Sequence, residues 1–128
     1  MTADDVMALN RHAVQFTGEN YALLFPDRLQ SAVKRAKNQF RYAGLEDLFL
    51  LTVHCMYAVS KAHAFEQGNK RAAFQAGMLF LHQNGYELRA PKHLHQYLAA
   101  QFADLSADLL TVSDYTAIID PYIEPIEH

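Results

Sequence analysis

Three absences limit what this chain of 128 residues can be. It has a single cysteine, Cys55, so no disulfide can form within the chain. It has no uninterrupted apolar run of roughly eighteen residues, so a membrane-spanning helix is not expected. Its first residues are acidic rather than apolar, which is not the pattern of a secretory signal peptide. The expected location is therefore a reducing cytoplasm.

The chain also lacks an excess of positive charge. Its formal net charge is −3 with the histidines neutral, whereas broad nucleic-acid binding usually needs a strongly basic surface. Direct nucleic-acid binding is therefore not expected, although a local basic pocket is compatible with this balance. No repeat, low-complexity tract or linker divides the sequence, and its length suits one core. We predict a single domain over residues 1–128.

Hydrophobic periodicity predicts a mainly α-helical protein, because apolar residues recur at helical spacing through most of the chain. The first predicted helix is capped by Thr2 and ended by Gly18, and the second is capped by Asp27, with an apolar face of Leu29, Ala32, Val33, Ala36 and Phe40. The third runs over Leu45 to Ala62 after a break at Gly44, and the fourth over Lys70 to Gln83, ended by Asn84-Gly85. The fifth begins near Pro91, and the sixth is capped by Ser113 and limited by Pro121. The third and fourth are apolar, and the third nearly all round, which is typical of buried central helices. Short strands are predicted at Tyr21–Leu24 and Tyr86–Leu88.

The loop between the two central helices is the most informative stretch of the sequence, His63-Ala64-Phe65-Glu66-Gln67-Gly68-Asn69-Lys70-Arg71. It opens a helix, where unpaired backbone N–H groups and the helix dipole favour an anion. Lys70 and Arg71 work against that dipole unless an anion is bound, so we expect them to hold phosphate. His63 can accept a proton near neutral pH. The combination predicts chemistry on a phosphorylated ligand.

Several loop residues have a structural alternative. His63 is either a general base or a histidine that caps the end of the preceding helix. Phe65 is expected to pack inward and fix the loop. Gly68 allows a positive φ angle, needed either for a plain turn or for close approach to a phosphate. Asn69 either caps the next helix or contacts the ligand, and both roles stay open.

The same residues resemble the core motif of the Fic/Doc family, His-x-Phe-x-(Asp/Glu)-(Gly/Ala)-Asn-(Gly/Lys)-Arg. Lys70 is the variant of the Doc branch, the death-on-curing toxins, and Tyr42 to Leu51 and Met78 to Glu87 are similar to the Doc segments that flank the motif. The resemblance covers most of the chain and is weakest in roughly the first forty residues. It implies a compact Fic/Doc-type helical bundle around two buried central helices.

The resemblance also implies a flap, a segment that docks a target protein by strand pairing. Residues 21–25, with the aromatic side chains Tyr21 and Phe25, correspond to it in position, and we call them the flap segment. A short β-hairpin is one form that it is expected to take. A surface loop with incidental aromatic residues is the alternative.

The function that the resemblance implies is that of a Doc-like toxin of a toxin–antitoxin system. In the family, the histidine at position 63 is the essential base and ATP is the donor, bound here by Gly68, Asn69, Lys70 and Arg71. Fic proteins typically transfer AMP, whereas Doc transfers the γ-phosphate, and Lys70 accompanies the Doc orientation of the nucleotide. The implied acceptor is a hydroxyl side chain of a cytoplasmic protein, for example a translation factor such as elongation factor Tu. AMP transfer is the alternative reaction.

One departure from the motif concerns magnesium. Gln67 stands where the family has an acidic residue that holds Mg²⁺, and a neutral amide oxygen should bind a hard cation more weakly. Glu66 lies one place too early and is expected to point elsewhere. The metal is then held weakly or through the phosphates of ATP, or the chain is a degenerate binding module without catalysis.

A second departure supports the Doc branch. Phe74 replaces a second arginine of Fic members, and Doc-like members lack that arginine too.

An internal inhibitory helix of the family type is also missing, because only Glu19-Asn20 fits its end and Gln15 stands where Ser or Thr is required. The resemblance therefore implies an antitoxin in trans, whose C-terminal segment folds on binding.

Overall fold

The computed structural model describes residues 1–43 and 48–127, without the side chains of residues 36, 37 and 39–43. The elements within these ranges are α1 (Ala3–Thr17), α2 (Pro26–Ala43), α3 (Leu48–Ala62), α4 (Asn69–Gln83), β1 (Tyr86–Leu88), α5 (His95–Ser106), α6 (Val112–Ile119) and β2 (Ile123–Pro125), with 3₁₀ turns at Lys92–Leu94 and Asp120–Tyr122. The prediction of a mainly helical Fic/Doc-type bundle is confirmed. The predicted break at Gly44, the predicted helix start at Leu45 and the side chains of Ala36 and Phe40 lie outside the described residues. None of the helices within these ranges has the length and apolar character that crossing a membrane requires.

The two predicted central helices, α3 and α4, pack against each other in the middle of the molecule. The other helices surround them: α1 packs on α4, while α2, α5 and α6 pack on α3. The approach is close at Gly77, where a Cβ atom would overlap the side chain of Met56. Cys55 is 2% exposed, and burial raises the pKa of its thiol to about 12, so it is a core residue.

The observed helix ends agree in part with the caps and ends that the sequence predicts. Thr2 caps α1 as predicted, in a capping box with Asp5, and the left-handed Gly18 ends that helix. The other two predicted caps are wrong. α2 begins at Pro26, whose fixed φ suits a first helical position, so Asp27 lies inside the first turn.

The last helix, α6, is capped by Thr111, two residues before the predicted cap. Thr111 and Asp114 form a capping box that satisfies backbone N–H groups at both positions, with Asp114 N donating to Thr111 Oγ1 at 3.0 Å. Ser113 therefore lies inside the helix. As predicted, α6 ends before Pro121.

Of the two predicted strands, one is confirmed. Tyr86–Leu88 forms β1 and pairs antiparallel with β2, which the sequence had not indicated. Tyr21–Leu24 forms neither a strand nor a hairpin within the described residues. Only Leu23 makes an isolated antiparallel bridge, and its partner is Phe65 in the motif loop.

Candidate functional site

His63 follows the last residue of α3 directly and is exposed. Its φ of 45° lies in the left-handed region, which is uncommon outside glycine, although histidine enters it more often than most residues do. The His63 backbone N–H donates to Ser60 O at 3.4 Å, which turns the chain out of the helix. The imidazole therefore lies at the surface of the protein, beside the motif loop.

The loop is closed on itself by Asn69. The Phe65 backbone N–H donates to Asn69 Oδ1 at 3.0 Å, and Asn69 Nδ2 donates to Phe65 O at 2.8 Å. Phe65 is 3% exposed and belongs to the core. Gly68, which precedes α4, provides no side-chain cap, and Asn69 is the first helical residue. The predicted capping role of Asn69 is therefore wrong, whereas its contact with a ligand stays a prediction.

Helix α1 packs against the motif loop and supports it. Gly68 has a φ of 76°, and a Cβ atom there would lie 2.9 Å from Asn10 Nδ2 and 3.1 Å from Val14 Cγ1. Asn10 is fully buried, and its Nδ2 donates to Gln67 O at 2.7 Å. Sequence reasoning missed Asn10, although its spacing from Val6 and Val14 places it on the buried face of α1.

The flap segment pairs with the loop along its backbone. Leu24 N donates to Ala64 O at 2.7 Å, and Glu66 N donates to Ala22 O at 3.0 Å. Because successive residues of an extended chain face opposite edges, the N–H and C=O groups of Leu23 point away from the loop. One edge of the flap segment thus holds the motif loop, and the other edge faces outward.

The two aromatic residues of the flap segment have different surroundings. The ring of Tyr21 packs against Phe65 with 6.2 Å between centroids, and the Arg11 guanidinium lies 4.6 Å from its centroid. Phe25 is 41% exposed, with the Arg28 guanidinium 3.8 Å from its ring centroid. Tyr21 therefore supports the loop, while Phe25 lies on the surface.

The first turn of α4 carries the two cations. The first backbone hydrogen bond of this turn runs from Ala72 N to Gly68 O at 2.9 Å, so the N–H groups of residues 69–71 have no acceptor within the helix. Lys70 is exposed and forms no ion pair within the described part of the chain. Arg71 is bound to the end of α1, since its Nη2 lies 2.5 Å from Glu19 Oε1 and its Nη1 donates to Thr17 Oγ1 at 3.1 Å.

These groups border one pocket with a volume of about 430 Å³. The end of α3, the motif loop and the end of α5 form its wall. The lining residues are Ser60, His63, Glu66, Gln67, Gly68, Asn69, Lys70, Arg71, Ala103, Ser106 and Ala107. We call it the loop pocket. It brings all predicted catalytic, phosphate-binding and metal-binding residues together, and only Phe65 and the flap residues lie outside its lining.

A larger pocket of about 820 Å³ adjoins the loop pocket. Both contain Lys70, Arg71 and Ala103, but the larger one continues along α4 to Met78 and has mainly apolar walls. Its remaining lining residues are Phe74, Gln75, Leu88, Arg89, Ala90, His95, Leu98, Ala99 and Phe102. We call it the helix pocket.

The residues near the motif offer few ligands for a cation. Glu66 and Gln67 are both exposed and both border the loop pocket, so Glu66 lies beside the site. Among the described residues no group of three or more His, Cys, Asp or Glu side chains could hold a metal ion. A magnesium ion here would take one or two oxygen atoms from the protein and the rest from phosphate and water, a common arrangement for Mg²⁺.

Sequence comparison relates this chain to known proteins. Residues 1–81 match the sequence model of the Fic/DOC family, and this range contains α1, the flap segment and the whole motif loop. It also includes the first forty residues, where the resemblance was expected to be weakest. The chain is similar to a protein named protein kinase Doc from Escherichia phage P1, with 25% identity over 88 residues, 69% of this chain and 70% of that relative.

The packing of Gly68 against α1 gives a prediction with an internal control. Gly68 and Gly18 have nearly the same φ, 76° and 77°, but a Cβ atom at Gly18 would have no neighbour within 4 Å. Gly18→Ala should lower the free energy of unfolding by about 1 kcal/mol through backbone strain. Gly68→Ala should lower it by a further 1–3 kcal/mol or so, because the methyl group displaces Asn10 and Val14. Urea unfolding measures both, and equal losses would contradict the proposed support of the loop by α1.

Proposed function

The chain belongs to the Fic/DOC family, and from this premise we propose that it is a Doc-like toxin that transfers the γ-phosphate of ATP to a side-chain hydroxyl of a cytoplasmic protein. The observation that carries the proposal is the loop pocket, which holds an exposed imidazole and the cationic first turn of α4 together. The name of the similar phage protein, a protein kinase, points to the same reaction.

His63 is the proposed general base. It takes the proton of the target hydroxyl as the hydroxyl oxygen forms a bond to the γ-phosphorus, while the bond from that phosphorus to the β–γ bridging oxygen breaks and ADP leaves. The exposed position of His63 at the border of the pocket supports this role, since the acceptor is a side chain of another protein. A positioned base of this kind contributes about 10²–10⁴ in rate.

The first turn of α4 is the proposed phosphate site. Backbone N–H groups without a helical acceptor and the Lys70 ammonium supply donors and positive charge at the same end of one helix. Arg71 adds those N–H groups that are not bound to Glu19 and Thr17. Positioning and charge neutralisation are the main requirements of phosphoryl transfer, and these groups meet both.

The helix pocket supports the γ-phosphate orientation. Phe74, Gln75 and Met78 lie four to eight residues beyond Lys70, which is about 6–12 Å along the helix axis. A nucleoside in this apolar pocket and phosphates at Lys70 would direct the γ-phosphate toward His63 and the α-phosphate away from it. The volume of about 820 Å³ is within the range of small-ligand sites.

Magnesium is the proposed cofactor, and it would supply charge neutralisation for the phosphates when bound. The amide oxygen of Gln67 and the carboxylate of Glu66 are the protein atoms that would hold it, since both residues border the loop pocket. The neutral amide at position 67 makes binding to the protein alone weak, so binding should depend on the nucleotide.

We propose two protein partners. The first is the target, possible acceptors being translation factors, and the flap segment would dock it through the outward edge at Leu23 and the exposed Phe25. The second is an antitoxin in trans whose C-terminal segment folds on the toxin. A cytoplasmic location follows from this function.

The decisive experiment uses ATP labelled at the α or the γ position, incubated with the protein and a bacterial extract. We expect label from the γ position on an extract protein, and a loss of about 10²-fold or more with His63→Ala. His82→Ala, which changes an exposed histidine at the far end of α4, is the control and should retain activity.

Three results would contradict the proposal. Label from the α position would indicate AMP transfer. Label that His63→Ala leaves unchanged would show that another enzyme made it. If the natural chain transferred no label while Gln67→Asp did, the chain would be a degenerate binding module, the alternative that the neutral residue at position 67 favours.

The nucleoside position has its own test on α5. Ala99 and Ala100 are both exposed alanines of this helix, but only Ala99 lines the helix pocket. Ala99→Trp fills the pocket and should weaken ATP binding at least about tenfold, whereas Ala100→Trp should leave it unchanged. Titration calorimetry measures both affinities. Equal affinities for the two variants would place the nucleoside elsewhere.

A further inference from the structure

The guanidinium of Arg71 is held at the C-terminal end of α1 by two residues with no assigned role. Its Nη2 donates to Glu19 Oε1 at 2.5 Å, and its Nη1 donates to Thr17 Oγ1 at 3.1 Å. The Thr17 hydroxyl also lies 2.5 Å from Glu19 Oε1 and donates to it. More than fifty residues separate this pair from Arg71 in the sequence, so the contact connects two distant parts of the chain.

The backbone that carries Glu19 is fixed by the end of the helix. Gly18 adopts a left-handed conformation, with its N–H bonded to Gln15 O at 3.2 Å, and Glu19 N donates to Val14 O at 2.8 Å. This pattern of backbone bonds is a common, well-defined helix ending. The carboxylate is therefore presented from a rigid element and not from a free loop.

The same helix also fixes the loop that precedes Arg71. Asn10 holds the carbonyl of Gln67, and Gly68 packs against Asn10 and Val14. Two rigid surfaces thus set the relative position of the carboxylate and the guanidinium. A contact fixed from both sides is suited to orient a side chain permanently, whereas a carboxylate that must leave when phosphate enters would need a mobile support.

We infer that Glu19 and Thr17 are positioning residues, which orient the guanidinium of Arg71 for the phosphates of the donor nucleotide. This inference rests on the proposed function. A guanidinium has five N–H donors, and these two contacts use one on each Nη nitrogen. The Nε–H and one proton on each Nη nitrogen remain for phosphate. The side chain of Arg71 is 40% exposed and borders both pockets, so these donors are within reach of a ligand.

The charge state of Glu19 agrees with this role. The hydrogen bond from Thr17 and the contact with Arg71 lower the pKa of the Glu19 carboxyl below its ordinary value. Glu19 is therefore ionised at neutral pH and accepts both hydrogen bonds. Its charge partly offsets that of Arg71, which leaves Lys70 as the stronger attraction for phosphate and Arg71 as the group that sets orientation.

The test measures ATP affinity in the His63→Ala background, where no turnover disturbs the titration. Glu19→Ala frees the guanidinium and should weaken ATP binding roughly tenfold. Glu19→Gln keeps an oxygen for both hydrogen bonds and should stay within about threefold of the parent. Asp4→Ala removes an exposed carboxylate from the opposite end of α1 and is the control for net charge. A thermal unfolding curve for each variant checks that it is folded at the temperature of the titration.

A second pair of variants shows whether Glu19 acts through Arg71. Once Arg71→Ala has removed the guanidinium, Glu19→Ala should cause no further loss of ATP affinity. An equal loss in both backgrounds would overturn the inference. Tighter ATP binding by Glu19→Ala and Glu19→Gln would also overturn it, because Glu19 would then compete with phosphate.

The outcome for the inference is separable from that for the proposed function. If the His63→Ala parent bound no ATP at all, the proposed function would fail and the inference with it. If the parent bound ATP and Glu19→Ala bound it equally well, only the positioning role would fail.

Discussion

The loop between α3 and α4 is held in place through its main chain, and the remaining features of the site depend on this constraint. The carbonyl of Gln67 is bound by Asn10, both backbone groups of Phe65 are bound by Asn69, and the flap segment is paired with the residues on either side of Phe65. Because these bonds use mostly backbone atoms, the side chains of His63 and Lys70 remain on the surface for a ligand. Phosphoryl transfer depends on groups that are already in position, and such a loop provides them.

Helix α1 has a larger part in the site than its place in the sequence indicates. Its buried Asn10 supports the loop, and the residues at its end, Thr17 and Glu19, hold the guanidinium of Arg71. The two adjacent cations of the motif therefore differ. Lys70 keeps its charge exposed, whereas Arg71 is oriented and partly neutralised. One cation attracts an anion and the other directs it, which fits a site that must hold a polyphosphate in a single orientation.

The sequence predicted those parts of the molecule that have local signals. The apolar periodicity of α3 and α4, the cap at Thr2 and the turn at Gly18 all depend on residues within a few positions of each other, and each was confirmed. The capping box of Thr111 and Asp114 is also a local signal. It distinguishes Thr111 from the predicted cap Ser113, because only Thr111 has an acidic residue three positions later. The motif residues of the loop pocket are contiguous in the sequence, so their proximity could also be predicted from the sequence.

Contacts between distant segments could not be predicted in this way. β2 is too short to give a pattern, and it becomes a strand only because β1 lies beside it. The bridge between Leu23 and Phe65 is formed by backbone groups, which every residue has, so no residue type predicts it. The contact of Glu19 with Arg71 joins residues 52 positions apart, and neither residue type indicates the other as its partner.

The central claim is that a donor nucleotide lies with its γ-phosphate beside His63 and its nucleoside in the helix pocket. A crystal structure of the His63→Ala variant with Mg²⁺ and a non-hydrolysable ATP analogue tests this most directly. The account predicts the γ-phosphate in the loop pocket, phosphate oxygens on the N–H groups of residues 69–71, and the base near Phe74 and Met78. A nucleotide with its α-phosphate beside position 63 and its nucleoside outside the helix pocket would contradict it.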